Sequence, residues 1–216
     1  MKAPLPEHEA ERLATLRGLG ILDTPPELAY DELCSLAAHV CQTPMALISL
    51  VDEDRQWFKS RVGWTTGETP REVAFCAHAI LQTDLLVVPD ARADDRFANN
   101  PLVTAAPSIR FYAGAPLVTT EGQALGTLCV LDHQPRELTA EQARALRALS
   151  HQVVAQLRLR QQLTVQLHIS AERERAEEEL RKANDRLALA VRSAHPPRRP
   201  GADGRSPARL PGWRDG

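Results

Sequence analysis

Residues 45–62, MALISLVDEDRQWFKSRV, decide the fold. Residues 45–51 are short, apolar and bounded by Pro44 and the acidic turn Asp52-Glu53-Asp54-Arg55. The run from Gln56 to Val62 then returns, so the stretch predicts a β-hairpin. Trp57 and Phe58 are neighbours in the second run, and successive strand residues point to opposite faces. One of the two therefore faces outward or into a helix.

Upstream, residues 7–19 predict a helix, with Leu13, Leu16 and Leu19 on one face and Gly18 and Gly20 ending the pattern. Asp23-Thr24-Pro25-Pro26-Glu27 predicts the start of a second helix, with an Asp or Thr cap and proline in its first turn. Tyr30, Leu33, Cys34, Ala37 and Cys41 follow at helical spacing, and the helix stops before Pro44. Downstream, residues 63–71 read as a loop and 73–82 as a short helix. That helix holds EVAFCAHAI, residues 72–80, in which Cys76 and His78 sit in an apolar run. Residues 85–88 predict a strand. The polar stretch 91–108, broken by Pro101 and Pro107, has room for a short helix near 95–99. Residues 109–119 and 123–132 predict a second hairpin around Thr120-Glu121-Gly122, with Gly114 and Pro116 interrupting its first strand. Thr139-Ala140-Glu141-Gln142 fits a capping box. Leu146, Leu149, Val153 and Leu157 continue as one apolar stripe. Two hairpins with helices before and after predict an α+β fold around an antiparallel sheet.

The helical pattern runs on to about residue 193. Ile169, Ala176, Ala183 and Ala190 recur every seven residues, with Leu180 and Leu187 at the other seam position and Arg173 breaking it. This predicts a parallel dimeric coiled coil, hence a homodimer through the C-terminal helix. Pairs Glu177–Arg181 and Glu178–Lys182 are expected along it. Residues 194–216, rich in Pro, Gly and Arg, predict disorder.

The chain of 216 residues is long enough for one domain with extensions. Its 43% hydrophobic content is that of a globular chain, and a net charge of −2 gives no ground for a nucleic-acid partner. The four cysteines, Cys34, Cys41, Cys76 and Cys129, lack framework spacing and read as reduced buried thiols. The first residues lack the apolar core of a signal peptide, and no apolar run reaches the ~18 residues of a membrane segment. A cytoplasmic location is expected. No kinase ATP-binding or cyclase motif is visible, so the chain is not expected to be an enzyme.

Several blocks carry a resemblance: ERLATLRGLGILDTPPE, ALISLVDEDRQWFKSRVG, FCAHAI, LLVVPDARADDRFANNPLV, IRFYAGAPL and GTLCVLD, spanning residues 9–132 in order. The chain resembles a GAF domain, closest to those preceding histidine kinase, PAS or diguanylate cyclase domains. The resemblance implies a sheet of about six antiparallel strands, helices on one face and a ligand pocket on the other. It implies an N-terminal helix and connector at 1–24, a GAF domain at 25–159, a signalling helix at 160–193 and a tail at 194–216. It places ligand contacts near the FCAHAI helix, the 90–97 region and the strand at 110–112. The candidates are Phe75, Cys76, His78, Asp90, Phe97, Arg110, Phe111 and Tyr112. Arg110 suits an anionic ligand group; alternatively it pairs with Asp90 or Asp94. The ligand is unknown. Cys76 and His78, two residues apart on a helix, are too few and point apart for a structural metal site. Free methionine sulfoxide reductases share this fold, but their catalytic cysteine belongs to the segment here at 108–114, which has none; Cys129 reads as core. Neither a bilin attachment motif nor a cyclic-nucleotide signature can be placed. The expected function is a sensory module relaying its state through the coiled coil to an absent kinase or cyclase output. The alternatives are a methionine sulfoxide reductase-like enzyme and a ligand-free dimerisation scaffold.

Overall fold

In the computed structural model, which describes residues 2–194, the 45–62 stretch forms the expected antiparallel hairpin of β1 (Met45–Val51) and β2 (Arg55–Val62). Four more strands complete the sheet: β3 (Glu68–Pro70), β4 (Leu86–Val88), β5 (Phe111–Val118) and β6 (Ala124–Asp132). The order is β3-β2-β1-β6-β5-β4, with every pair antiparallel. All of β1 is buried, because both sheet faces are covered. That is why its sequence is a continuous apolar run rather than an alternation.

One face carries α1 (Glu9–Gly18), α2 (Leu28–Cys41) and the first part of α5 (Ala140–Ala194). Leu16, Tyr30, Cys34, Ile48, Phe111, Val130, Leu146 and Val153 form the core there. The other face carries the short helix α3 (Phe75–Ala79), the irregular chain after β4 and α4 (Pro101–Thr104). Leu47, Phe58, Phe75, Phe97, Tyr112 and Cys129 pack between them.

Two bulges change which residues face which layer. Ile48 pairs with Ser60 but Ser49 pairs with Phe58, so Lys59 is the extra residue in β2. A bulge shifts the alternation by one. Lys59 and Ser60 consequently both reach the α2 layer, where Ser60 Oγ donates to Asp31 at 2.6 Å. The second bulge is opposite Leu117, where β6 carries an extra residue. Leu125 thereby joins Leu128 and Val130 on the α2 face.

Several expectations need correction. The cap of α2 is Glu27, whose side chain makes no capping bond to the helix, and Pro25 and Pro26 precede the helix. Asp23 and Thr24 are used elsewhere: Asp23 pairs with Arg55, and Thr24 Oγ1 donates to the Ile21 carbonyl at 2.6 Å. The 63–71 loop contains β3, which pairs with β2. Helix α3 is shorter than expected and follows a 3-10 turn at Arg71–Val73. The helix expected near 95–99 lies instead at Pro101–Thr104, where the Asn100 side chain accepts from Leu102 N and Pro101 occupies the first turn. Gly114 does not interrupt β5. It pairs with Leu86 on one side and Cys129 on the other. Pro116 lies past the end of β4, where its missing N–H costs no ladder bond to that strand. The capping box forms in both directions: Gln142 N donates to Thr139 Oγ1 at 3.2 Å, and Thr139 N to Gln142 Oε1 at 3.1 Å.

The globular unit ends at Val165, and the helix from Gln166 onward is a second unit. Within that second unit Ile169, Leu180, Leu187, Leu189 and Val191 are exposed. Glu178 pairs with both Arg181 and Lys182, while Glu177 pairs with Arg173 rather than Arg181. Ala194, expected to begin the disordered tail, is the last residue of α5; the rest of the expected tail, 195–216, lies outside the described residues. Among the described residues no helix is long and apolar enough to cross a membrane.

Candidate functional site

The sheet face under α3 gathers most of the expected site residues. Phe75 stacks on Phe97 with ring centres 4.1 Å apart, and on Tyr112 at 5.2 Å. His78 meets the Phe97 ring edge-on at 4.9 Å. Strand alternation supplies the floor. Ser49 of β1, Tyr112 of β5 and Thr127 and Cys129 of β6 all point to this side.

Cys76 Sγ is the focus of that floor. Thr127 Oγ1 donates to it at 3.0 Å and the Tyr112 hydroxyl at 3.4 Å, with Cys129 Sγ at 3.8 Å. Ser49 lies beside the same sulfur, its hydroxyl buried without another partner. Burial disfavours a thiolate here, but the hydrogen bonds from Cys129, Thr127 and Tyr112 outweigh it and bring Cys76 down to about 7. Cys129 and Tyr112 are pushed the other way, first by burial and then by the charge of Cys76. Gly114 makes the arrangement possible. A Cβ there would overlap the Tyr112 hydroxyl, which reaches over Gly114 toward Cys76.

Three expected residues stand apart. Phe111 faces the opposite layer, packed in the core with Tyr30 and Leu146. Arg110 bonds neither Asp90 nor Asp94 directly, though its charge helps to lower the Asp90 carboxyl; its Nη1 donates to the Val103 carbonyl at 2.9 Å and the Ile109 carbonyl at 3.0 Å. Asp90 is bound by Arg92, and Asp94 by Arg96. Two surface cavities lie elsewhere. One of about 560 Å³ is lined by Trp64, Thr66, Leu102 and His133, and one of about 510 Å³ by Glu9, Leu13, Asp54 and Arg71. Neither is lined by any of the eight candidates.

A second cluster escaped the sequence reading. Lys59, with a fully buried side chain, donates to Thr24 Oγ1 at 2.9 Å, the Pro25 carbonyl at 2.7 Å and Glu27 Oε1 at 2.7 Å. Arg160 of α5 donates to the same Glu27 oxygen at 2.9 Å and to the Gly20 carbonyl at 3.0 Å. Burial alone would raise the Glu27 carboxyl, but the two cations hold it below its ordinary value. The signal for Lys59 was a lysine beside a buried aromatic in a hairpin strand; the bulge that aims it is invisible in one sequence.

The GAF domain family model matches residues 25–157. The chain belongs to the GAF family. This GAF domain is 47% identical over 138 residues to the cyclic di-GMP phosphodiesterase PA2567 of Pseudomonas aeruginosa, a match covering 64% of this chain and 24% of that protein. The chain therefore spans about a quarter of that curated relative. Among solved structures, the GAF domain of an Acinetobacter phosphoenolpyruvate-protein phosphotransferase superposes with a TM-score of 0.51 at 18% identity, covering 71% of this chain and 97% of that one. The GAF region of a putative membrane protein of Geobacter sulfurreducens PCA gives 0.51 at 18% identity, covering 69% and 97%. These two likenesses show the fold.

Proposed function

We propose that this GAF domain is a sensory input module. Its α3 face responds to a small ligand, and α5 relays the response into a coiled coil with a second copy. The observation that carries the reading is the course of α5. It runs for 55 residues, while its buried positions end at Leu157. Beyond them, exposed Ile169, Leu180 and Leu187 recur at seam spacing. An isolated helix gains nothing from such a stripe, whereas a paired one buries it. The Lys59–Glu27–Arg160 cluster supports a relay, because it ties β2 and the α2 start to α5 by charged hydrogen bonds. The output lies on a partner or a longer natural chain. The name of the Pseudomonas relative suggests cyclic di-GMP turnover as the process controlled.

One observation favours a second reading, a ligand-free dimerisation scaffold. Phe75, Phe97 and Tyr112 are at most 2% exposed and fill the space under α3 with one another. A ligand there must displace an aromatic ring. Native mass spectrometry of the freshly purified chain separates the readings. A dimer carrying an extra mass lost on denaturation supports sensing, and a bare dimer supports the scaffold. A bare monomer counts against both.

A further inference from the structure

The two sulfurs under α3 have no part in the relay, yet their placement is specific. Cys76 and Cys129 are 53 positions apart in sequence, on a helix and on a central strand, and the fold brings their Sγ atoms to 3.8 Å. Cys34 and Cys41 lie on α2, packed against the other sheet face. The surroundings of Cys76 are those of an anion: two hydroxyls donate to its sulfur, and Ser49 adds a third beside it. A purely structural buried thiol has no use for convergent donors in an otherwise apolar layer.

We propose that Cys76 and Cys129 are a peroxide-oxidisable dithiol that closes to an intramolecular disulfide beneath α3. The proposal holds whether or not the domain takes a ligand. Cys76, as the thiolate, attacks one oxygen of a hydroperoxide. The O–O bond breaks, the departing oxygen takes a proton from water, and Cys76 becomes a sulfenic acid. Cys129 then gives up its proton and attacks the Cys76 sulfur. The S–S bond forms, the S–O bond breaks and water leaves. The two sulfurs supply the two electrons that the peroxide takes up. The sulfurs must close by about 1.8 Å to reach disulfide length. Closing that gap shifts at least one of the two side chains, so oxidation rearranges the floor of the α3 face. Cys76 is 2% exposed, so peroxide reaches it when α3 lifts.

The test uses the full chain. It is treated with hydrogen peroxide, denatured, alkylated with N-ethylmaleimide and weighed intact, then mapped without reduction. The expected result is two N-ethylmaleimide adducts in place of four, on a chain itself two hydrogens lighter, and a Cys76–Cys129 cross-linked peptide. In Cys129→Ser the disulfide is absent and Cys76 is instead trapped by dimedone as the sulfenic acid. Tyr112→Phe keeps the stacked ring but removes a donor. It should slow oxidation roughly three- to tenfold near pH 6.5, with the gap closing above pH 9. Tyr112 and Cys129 are the titratable groups hydrogen-bonded to Cys76, with Cys34 acting on Cys129 from the other side of the sheet, and Tyr112→Phe isolates the first of them. Cross-links involving Cys34 or Cys41, or four intact thiols after exposure that oxidises a denatured control, would overturn the proposal. So would a Tyr112→Phe variant with an unchanged pH profile.

Discussion

At the residue scale, the α3 face depends on a side chain that is missing. Tyr112 is fully buried, stacked on Phe75, and its hydroxyl crosses above Gly114. Gly114→Ala puts a methyl group against that hydroxyl, and the ring stacked on Phe75 must shift to admit it. The expected cost is about 1–3 kcal/mol, as for overpacking elsewhere in cores, read as a lower urea midpoint with unchanged slope. If the methyl group is accommodated by tilting the ring, the Cys76 thiol instead loses a donor and titrates higher, which ultraviolet absorbance of the thiolate detects. An alanine variant unchanged in both would mean that the hydroxyl is not held where it is described. Tyr112 and Phe111 also mark what one sequence could have settled. Strand neighbours point to opposite faces, so only one of them could belong to the pocket side. Which one is decided by the register of β5 against β6, a long-range pairing that local pattern does not contain.

At the element scale, the clearest forecasts were those whose partners are close in sequence. The first hairpin and the capping box at Thr139 rest on residues within a few positions of one another, and both form. Thr139→Ala removes the acceptor for Gln142 N and should cost about 1 kcal/mol, measured by thermal unfolding. A Thr139→Ser control should restore most of it. Serine no better than alanine would show that packing, not the hydroxyl, holds the start of α5. Elements that failed to show in the sequence depend on distant partners. Strand β3 is three residues long and exists because β2 offers it an edge. The cap of α2 moved to Glu27 because Thr24 and Pro25 are taken by Lys59. The candidate site was legible in the same measure. The FCAHAI block marked α3, but the sulfur opposite it, on β6, and the floor hydroxyls of Ser49 and Thr127 come from the sheet register.

At the scale of the whole molecule, two forces are separable because they act in different units. Within the globular unit, Glu9 accepts from Arg12 and Arg71, with both arginines buried. Burial alone would raise this carboxyl, but the two guanidinium groups hold it down to about 2 from an ordinary 4.5. A depressed carboxyl stabilises the fold fully above its unfolded value and loses that contribution as pH falls through its folded value. Stability should therefore decline between pH 4.5 and 2. Glu9→Gln should lose about 3 kcal/mol at pH 7, because two buried arginines lose their carboxylate, and should lie much closer to the parent chain at pH 2.5. A deficit independent of pH would point to packing rather than charge. Within the second unit Leu180 and Leu187 are exposed, and the proposed coiled coil would bury them against a second copy. Leu180→Asp with Leu187→Asp places four carboxylates at a two-chain seam, where a charge at a core position is expected to abolish pairing. If the parent chain pairs as proposed, light scattering should report a dimer for it and a monomer for the double variant, while the urea transition of the globular unit keeps its midpoint. A double variant that stays dimeric would move the interface onto the globular unit and leave α5 without a role in bringing the two copies together.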